Sequence, residues 1–142
     1  MEPGVGYAVL DLRSHERFQT LRRELGVSSF GLNLIRLRPG QRGRIHRHER
    51  QEEVYLVLEG ELTLVIEGEE RPTLRRGEAV RIAPDVRRQL LNRGGEPCAL
   101  LAIGGEGEHA GRDGIAWESW EEPAEAGRPP QEVPLPRDLG TV

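Results

Sequence analysis

Between Ser29 and Ile103 apolar residues recur mostly at every second position, and glycine- or proline-rich breaks interrupt them at short intervals. Phe30, Leu32 and Leu34 alternate with Gly31 and Asn33, which predicts a half-buried strand over Ser29–Arg38. Pro39-Gly40 is a turn pair, and a strand carrying His46 and His48 follows it. Val54 to Leu58 is a continuous apolar strand that ends at the hairpin signal Glu59-Gly60. Leu62, Leu64 and Ile66 then alternate with Thr63, Val65 and Glu67, and Gly68-Glu69-Glu70 makes the next turn. Short strands are expected at Pro72–Arg75, Ala79–Ala83, Val86–Asn92 and Pro97–Ile103, separated by Arg76-Gly77-Glu78, Pro84-Asp85 and Arg93-Gly94-Gly95-Glu96. Short strands at such spacing predict an all-β sandwich or barrel.

The two ends read differently. Tyr7 to Leu12 predicts a short edge strand. Ser14 is placed to cap a helix through Leu25, with Phe18, Leu21 and Leu25 on one face and Gly26 as its stop. Gly104 to Gly114 reads as a glycine loop. Glu121 to Pro136, rich in proline and glutamate and without periodicity, reads as an extended arm. Trp117 and Trp120 are the expected anchors of that arm, on the chain's own barrel or on a second subunit. The expected organisation is a strand and cap helix over 1–28, a barrel over 29–104 and an acidic, proline-rich arm over 105–142.

Composition narrows the chemistry. At 142 residues, 36% of them hydrophobic and 4% aromatic, the chain builds one modest aliphatic core. All 20 basic residues are arginine, so no lysine can form a Schiff base. The single cysteine, Cys98, lies in an apolar strand and is expected to be a buried, inert thiol, which fits a reducing compartment. No apolar run is long enough for a membrane helix and no signal peptide is visible, so a cytoplasmic location is expected. Arg36 to Arg93 holds 13 arginines against 10 acids, whereas Gly105 to Val142 holds three against nine. A mildly basic barrel with an acidic tail reads first as solvated charged faces, and otherwise as favouring an anionic ligand or a tail lying across the arginines; nucleic acid is not expected.

The histidine strand carries the most specific signal. His46 and His48 share a strand face because side chains one residue apart point the same way. Glu53 opens the next strand after a polar run. Two imidazoles and one carboxylate form a facial set that suits iron, manganese, nickel or zinc. The alternative is a pair of strand histidines hydrogen-bonded near a barrel mouth. Glu52 is a rival for Glu53, and His109 of the glycine loop is a second candidate for covering the mouth.

Gly40, five residues, His46-x-His48, four residues, Glu53, six residues and Gly60 resemble the first motif of the cupin superfamily at every fixed position. The resemblance implies a cupin-like jelly-roll β-barrel, with a short N-terminal helix and an extended C-terminal arm added by this chain. It also implies a metal held by His46, His48, Glu53 and a third histidine. In the second motif, Gly77 to Asn92, that histidine position is Arg88, the usual proline falls on Ala83 and the usual glycine on Asp85. Arginine stays protonated and offers no lone pair to a metal.

Two coherent sites follow. One is a three-ligand divalent metal with Arg88 as clamp for a small anionic ligand, and oxygenase, isomerase or lyase chemistry. The other is a metal-free pocket in which Arg88 pairs with Glu53, serving a ligand-binding or sensor module. A structural dimer component with a vestigial pocket is a third reading. Tyr55 and Gln89 are candidate polar contacts to a ligand. An Arg88–Glu53 contact is expected in the ligand-free barrel, and a homodimer is expected because the N-terminal strand and the arm can cross over.

Overall fold

The computed structural model describes residues 2–105 and 113–140. Eleven strands occur among these: β1 (Phe18–Thr20), β2 (Gly31–Leu37), β3 (Ile45–His48), β4 (Glu52–Glu59), β5 (Glu61–Ile66), β6 (Glu69–Glu70), β7 (Leu74–Arg75), β8 (Ala79–Ile82), β9 (Arg88–Leu91), β10 (Cys98–Gly105) and β11 (Gly114–Trp117). One helix, α1 (Leu21–Leu25), precedes β2, and two 3-10 turns lie at Ala124–Ala126 and Pro130–Glu132. One sheet runs β1-β2-β10-β4-β8 and the other β11-β3-β9-β5-β6, with β7 pairing on β5. The architecture is all-β, with two facing antiparallel sheets in a cupin jelly roll. Among the described residues no helix is long and apolar enough to cross a membrane.

The inward faces pack Leu37, Tyr55, Val57, Leu62, Leu64, Ile82, Leu90 and Leu100 into one core. Each fully buried aliphatic side chain of this kind stabilises the fold by about 1.5–3 kcal/mol. Cys98 is wholly buried there, and burial pushes its thiol up to about 12, so it is the inert cysteine expected. Gly60 turns β4 into β5 at φ 76°, where an added Cβ would meet the Pro97 carbonyl oxygen at 2.3 Å, so only glycine fits.

β2 departs from the half-buried pattern, because both of its faces are covered. Ile35 and Leu37 turn inward, while Leu34 is buried on the outer face with Leu21 and Ala99 under α1. Arg36, also on the outer face, is buried and clamps the N-terminal segment. Its guanidinium donates to the carbonyls of Asp11, Glu16 and Phe18 and to the Gln19 side chain.

The N-terminal expectations need correction. No strand forms over Tyr7–Leu12, and the helix is confined to Leu21–Leu25. Phe18, Gln19 and Thr20 pair instead with Ile35, Leu34 and Asn33, so the sheet ladder takes the backbone groups that a longer helix would need. Gly26 does stop the helix, in the left-handed conformation at φ 77°. The segment Gly114–Trp117, expected at the edge of a glycine loop, adds strand β11 to β3. His109 lies outside the described residues.

The C-terminal arm docks on the barrel of its own chain. Trp117 is buried, Ala116 and Arg128 exchange backbone hydrogen bonds, and Val133 is buried. The arm meets barrel arginines through two of its carbonyls. Arg44 donates to Val133 at 2.6 Å and Arg42 to Arg137 at 2.9 Å.

Candidate metal centre

β3 and β4 belong to opposite sheets, and the short connection between them brings both histidines against Glu53 at the barrel mouth. His46 Nε2 lies 3.6 Å and His48 Nε2 3.4 Å from Glu53 Oε1. The two rings stand edge to face, 5.4 Å apart. His46, His48 and Glu53 are a group among the described residues whose ligand atoms all lie within 4.8 Å of one another. Glu52, the rival carboxylate, is exposed and pairs with Arg81 instead.

The outer nitrogens settle which side of each ring is free. His46 Nδ1 sits 3.1 Å from the Arg44 carbonyl and His48 Nδ1 2.8 Å from Asp113 Oδ1. Both partners only accept, so each Nδ1 carries a proton, and in the neutral ring Nε2 keeps its lone pair. Two lone pairs therefore face a carboxylate oxygen, an arrangement that repels unless a cation or a proton lies between. His48 Nε2 is buried and has no hydrogen-bond partner. An orphaned buried acceptor beside a second nitrogen and a carboxylate is the donor set of a divalent transition metal, so the residues present fit one.

Asp113 was not visible as part of this site in the sequence, because it stands in a stretch without periodicity far from His48. Its carboxylate accepts from the backbone N–H of Arg50 at 3.0 Å and of Gln51 at 2.8 Å, and from the Gln51 amide at 2.6 Å. The same side chain thus fixes the β3–β4 connection and the His48 ring. Burial alone would raise the Asp113 pKa, but these backbone bonds and His48 hold it below the usual carboxylate value. For His48 burial disfavours the charged ring, yet the facing carboxylates of Glu53 and Asp113 raise its pKa.

Behind Glu53 lies a second layer. Arg88 Nη2 donates to Glu53 Oε1 at 2.5 Å, the direct contact expected from the motif register. Tyr55 OH donates to the same oxygen at 2.6 Å and accepts from Arg88 Nε at 3.3 Å. Burial opposes ionisation of Glu53, but the two facing imidazoles and the charge of Arg88 hold its carboxyl well below the usual range. Burial and the neighbouring Glu53 charge push the Tyr55 hydroxyl well above its usual value, so it remains a donor.

Arg88, Tyr55 and Gln89, the candidate ligand contacts of the sequence, each have protein partners. Arg88 is fully buried, and its Nη1 donates to the carbonyls of Val86 at 2.8 Å and Pro84 at 3.3 Å. It holds Glu53 and the β8–β9 turn. Gln89 faces the other side of β9, where it donates to the Gly43 carbonyl at 3.0 Å and accepts from Trp120 at 3.1 Å. Neighbouring residues on a strand point to opposite faces, so Gln89 cannot join Arg88 at Glu53.

The family model for the cupin domain, Cupin_2, matches residues 33–104. A 77-residue stretch is 34% identical to a polyketide synthase CurC of Streptomyces cyaneus, covering 54% of this chain and 49% of that protein. The chain thus spans about half the length of the curated relative it matches. A sugar phosphate isomerase of the cupin superfamily from Silicibacter pomeroyi superposes with a TM-score of 0.63 at 28% identity, over 87% of this chain and 82% of that one. A cupin protein from Bacteroides fragilis superposes with a TM-score of 0.63 at 24% identity, over 78% and 88% of the two chains, and shows likeness of fold alone.

Proposed function

The chain belongs to the Cupin_2 family, and from that premise we propose that it is a small-molecule cupin whose barrel mouth holds a divalent transition metal on His46, His48 and Glu53. The observation that carries this reading is the buried, unpartnered Nε2 of His48, aimed with that of His46 at Glu53 Oε1. A zinc, manganese, iron or nickel ion there would supply Lewis-acid polarisation of a ligand oxygen, which oxygenase, isomerase and lyase reactions on small anions can use.

The protein's own residues prepare the site. Asp113 and the Arg44 carbonyl keep both imidazoles in the tautomer that presents Nε2. Arg88 and Tyr55 keep Glu53 ionised and fixed. Arg88 also withdraws part of the carboxylate charge, so the affinity for metal is lower than in a site with a fourth neutral donor.

Two of these similar proteins carry names for different activities, a polyketide synthase and a sugar phosphate isomerase. Each supports chemistry on a small molecule, and together they leave its class to be read from this barrel.

A second reading has one observation of its own. The 2.5 Å Arg88–Glu53 pair compensates the carboxylate without any metal, as a metal-free ligand-binding module would require. Elemental analysis of protein purified without an affinity tag, followed by calorimetric titration with zinc and manganese, separates the two. The metal reading expects about one ion per chain, lost in His46→Ala and His48→Ala with the fold intact. Absence of native metal together with no binding on titration would overturn it in favour of the metal-free module.

A further inference from the structure

Beside His46 the barrel has a half-open cavity of about 160 Å³. Its walls are Phe18, Ile35, Leu37, Leu90, Pro130 and Leu135, the last two supplied by the docked arm. The polar side chains that reach it are Arg17, Arg44 and His46, and among the described residues no hydroxyl, amide or carboxylate side chain lines it. The cavity therefore has an apolar body, a cationic rim and one wall shared with the metal-ligand set.

The two arginines are only partly engaged. Arg17 donates one Nη1 bond to the Arg42 carbonyl at 2.7 Å, and Arg44 donates its Nε to Val133 at 2.6 Å. Among the described residues neither guanidinium forms an ion pair with a carboxylate. Burial lowers the Arg17 pKa; Asp138 opposes this through space, and the charge of Arg44 adds to it. Two like charges thus share one rim, an arrangement that an anion between them would relieve.

We propose that this cavity selects an acid with an apolar body, such as an aryl or short alkyl carboxylate. The acid group pairs with Arg17 and Arg44, and the carbon skeleton lies along Ile35, Leu37 and Leu90 toward His46. The size agrees, since an apolar cavity of about 150 Å³ accepts a benzene ring. The same walls argue against a phosphorylated sugar, whose hydroxyls would lose water there without gaining a partner. The inference rests on the barrel being a small-molecule site, but not on the metal. Arg17 and Arg44 are specificity residues in this account, and Arg88 is not.

The test is a calorimetric titration of metal-stripped full-length protein with benzoate, with benzamide and ribose 5-phosphate as comparisons. Removing the metal first prevents coordination of the carboxylate from standing in for the arginines. It also keeps the outcome independent of whether the protein binds metal at all. Benzoate should bind. Benzamide should bind at least about tenfold more weakly, because a charge-assisted pair is lost. Ribose 5-phosphate should not displace benzoate. Arg17→Gln and Arg44→Gln should each weaken benzoate by about tenfold or more, with Arg17→Lys and Arg44→Lys recovering part of the loss. Leu135→Glu, in the arm and outside the packed core, should repel benzoate even if an arginine variant fails to fold. Equal binding of benzoate and benzamide, tighter binding of ribose 5-phosphate, or unchanged benzoate affinity in Leu135→Glu would each overturn the proposal.

Discussion

His48 donates its Nδ1 proton to Asp113 across 2.8 Å, and the two residues stand 65 positions apart in the chain. The carboxylate that orients the ring also ties down Arg50 and Gln51, so orientation of His48 and closure of the β3–β4 connection are one interaction. Asp113→Asn keeps the shape but leaves an amide where a carboxylate accepted several bonds. Metal affinity should fall by about 10–100-fold, as for loss of an outer partner of a ligating histidine. Metal titration of the variant against the parent measures it. An unchanged affinity would show that the ring needs no such support.

The same group, with Glu53 and His48, sets the pH response of the metal-free protein. Asp113 and Glu53 have depressed pKa values in the folded state, so their contribution is present above the unfolded carboxylate pKa and is lost as pH falls through the folded values. His48 has a raised pKa, so its contribution is present below the unfolded imidazole value of about 6.5 and is lost as pH rises through the folded one. Stability of chelator-treated protein should therefore peak at weakly acidic pH and decline on both sides. Urea unfolding across pH 3 to 9 tests this: His48→Gln should remove the alkaline limb and also shrink the acid one, because His48 is one of the groups that depress Asp113 and Glu53. An alkaline limb unchanged in His48→Gln would assign that decline to another group.

Much of the fold and the three-residue cluster was legible because their determinants are local. Alternation fixes which strand residues face inward, and His46-x-His48 followed at short range by Glu53 needs only one turn to converge. The Arg88–Glu53 contact was legible too, since motif spacing carries it. What stayed hidden depends on distant partners. Asp113 reaches His48 only because β11 adds to β3, and nothing near Asp113 marks it. Phe18 to Thr20 reads as helix until β2 offers a ladder. Gln89 and Arg88 look equivalent as polar residues in a strand, and only the direction of β9 separates them.

Arg88 gives a sharper test of the buried charges. Arg88→Met removes the 2.5 Å partner of Glu53 and leaves that carboxylate uncompensated, which should cost about 3–5 kcal/mol in the metal-free protein. A divalent ion would supply the missing charge, so added zinc should raise the melting temperature of the variant more than that of the parent. Arg88→His should go further by presenting a fourth nitrogen, and bind zinc more tightly than the parent. Equal zinc affinity in Arg88→His and the parent would mean that this position does not reach the metal.

The last expectation concerns association. The N-terminal segment lies against α1 so closely that a Cβ on Gly6 would meet the Leu25 carbonyl oxygen at 2.2 Å. Ala8 and Leu12 pack inward, which turns Tyr7 and Val9 outward at 77% and 86% exposure. Phe18, on strand β1 at the edge of its sheet, is also half exposed. An unpaired edge beside an exposed apolar row is a surface that a second copy can cover, by pairing its own N-terminal segment across a twofold axis. The chain should therefore run as a dimer of twice its 15.9 kDa mass in light scattering at micromolar concentration. Tyr7→Asp combined with Val9→Asp should shift it toward monomer while leaving metal binding intact, because neither residue approaches the barrel mouth. A parent protein that runs as a monomer at every concentration would remove the argument, and the exposed row would then need a different partner.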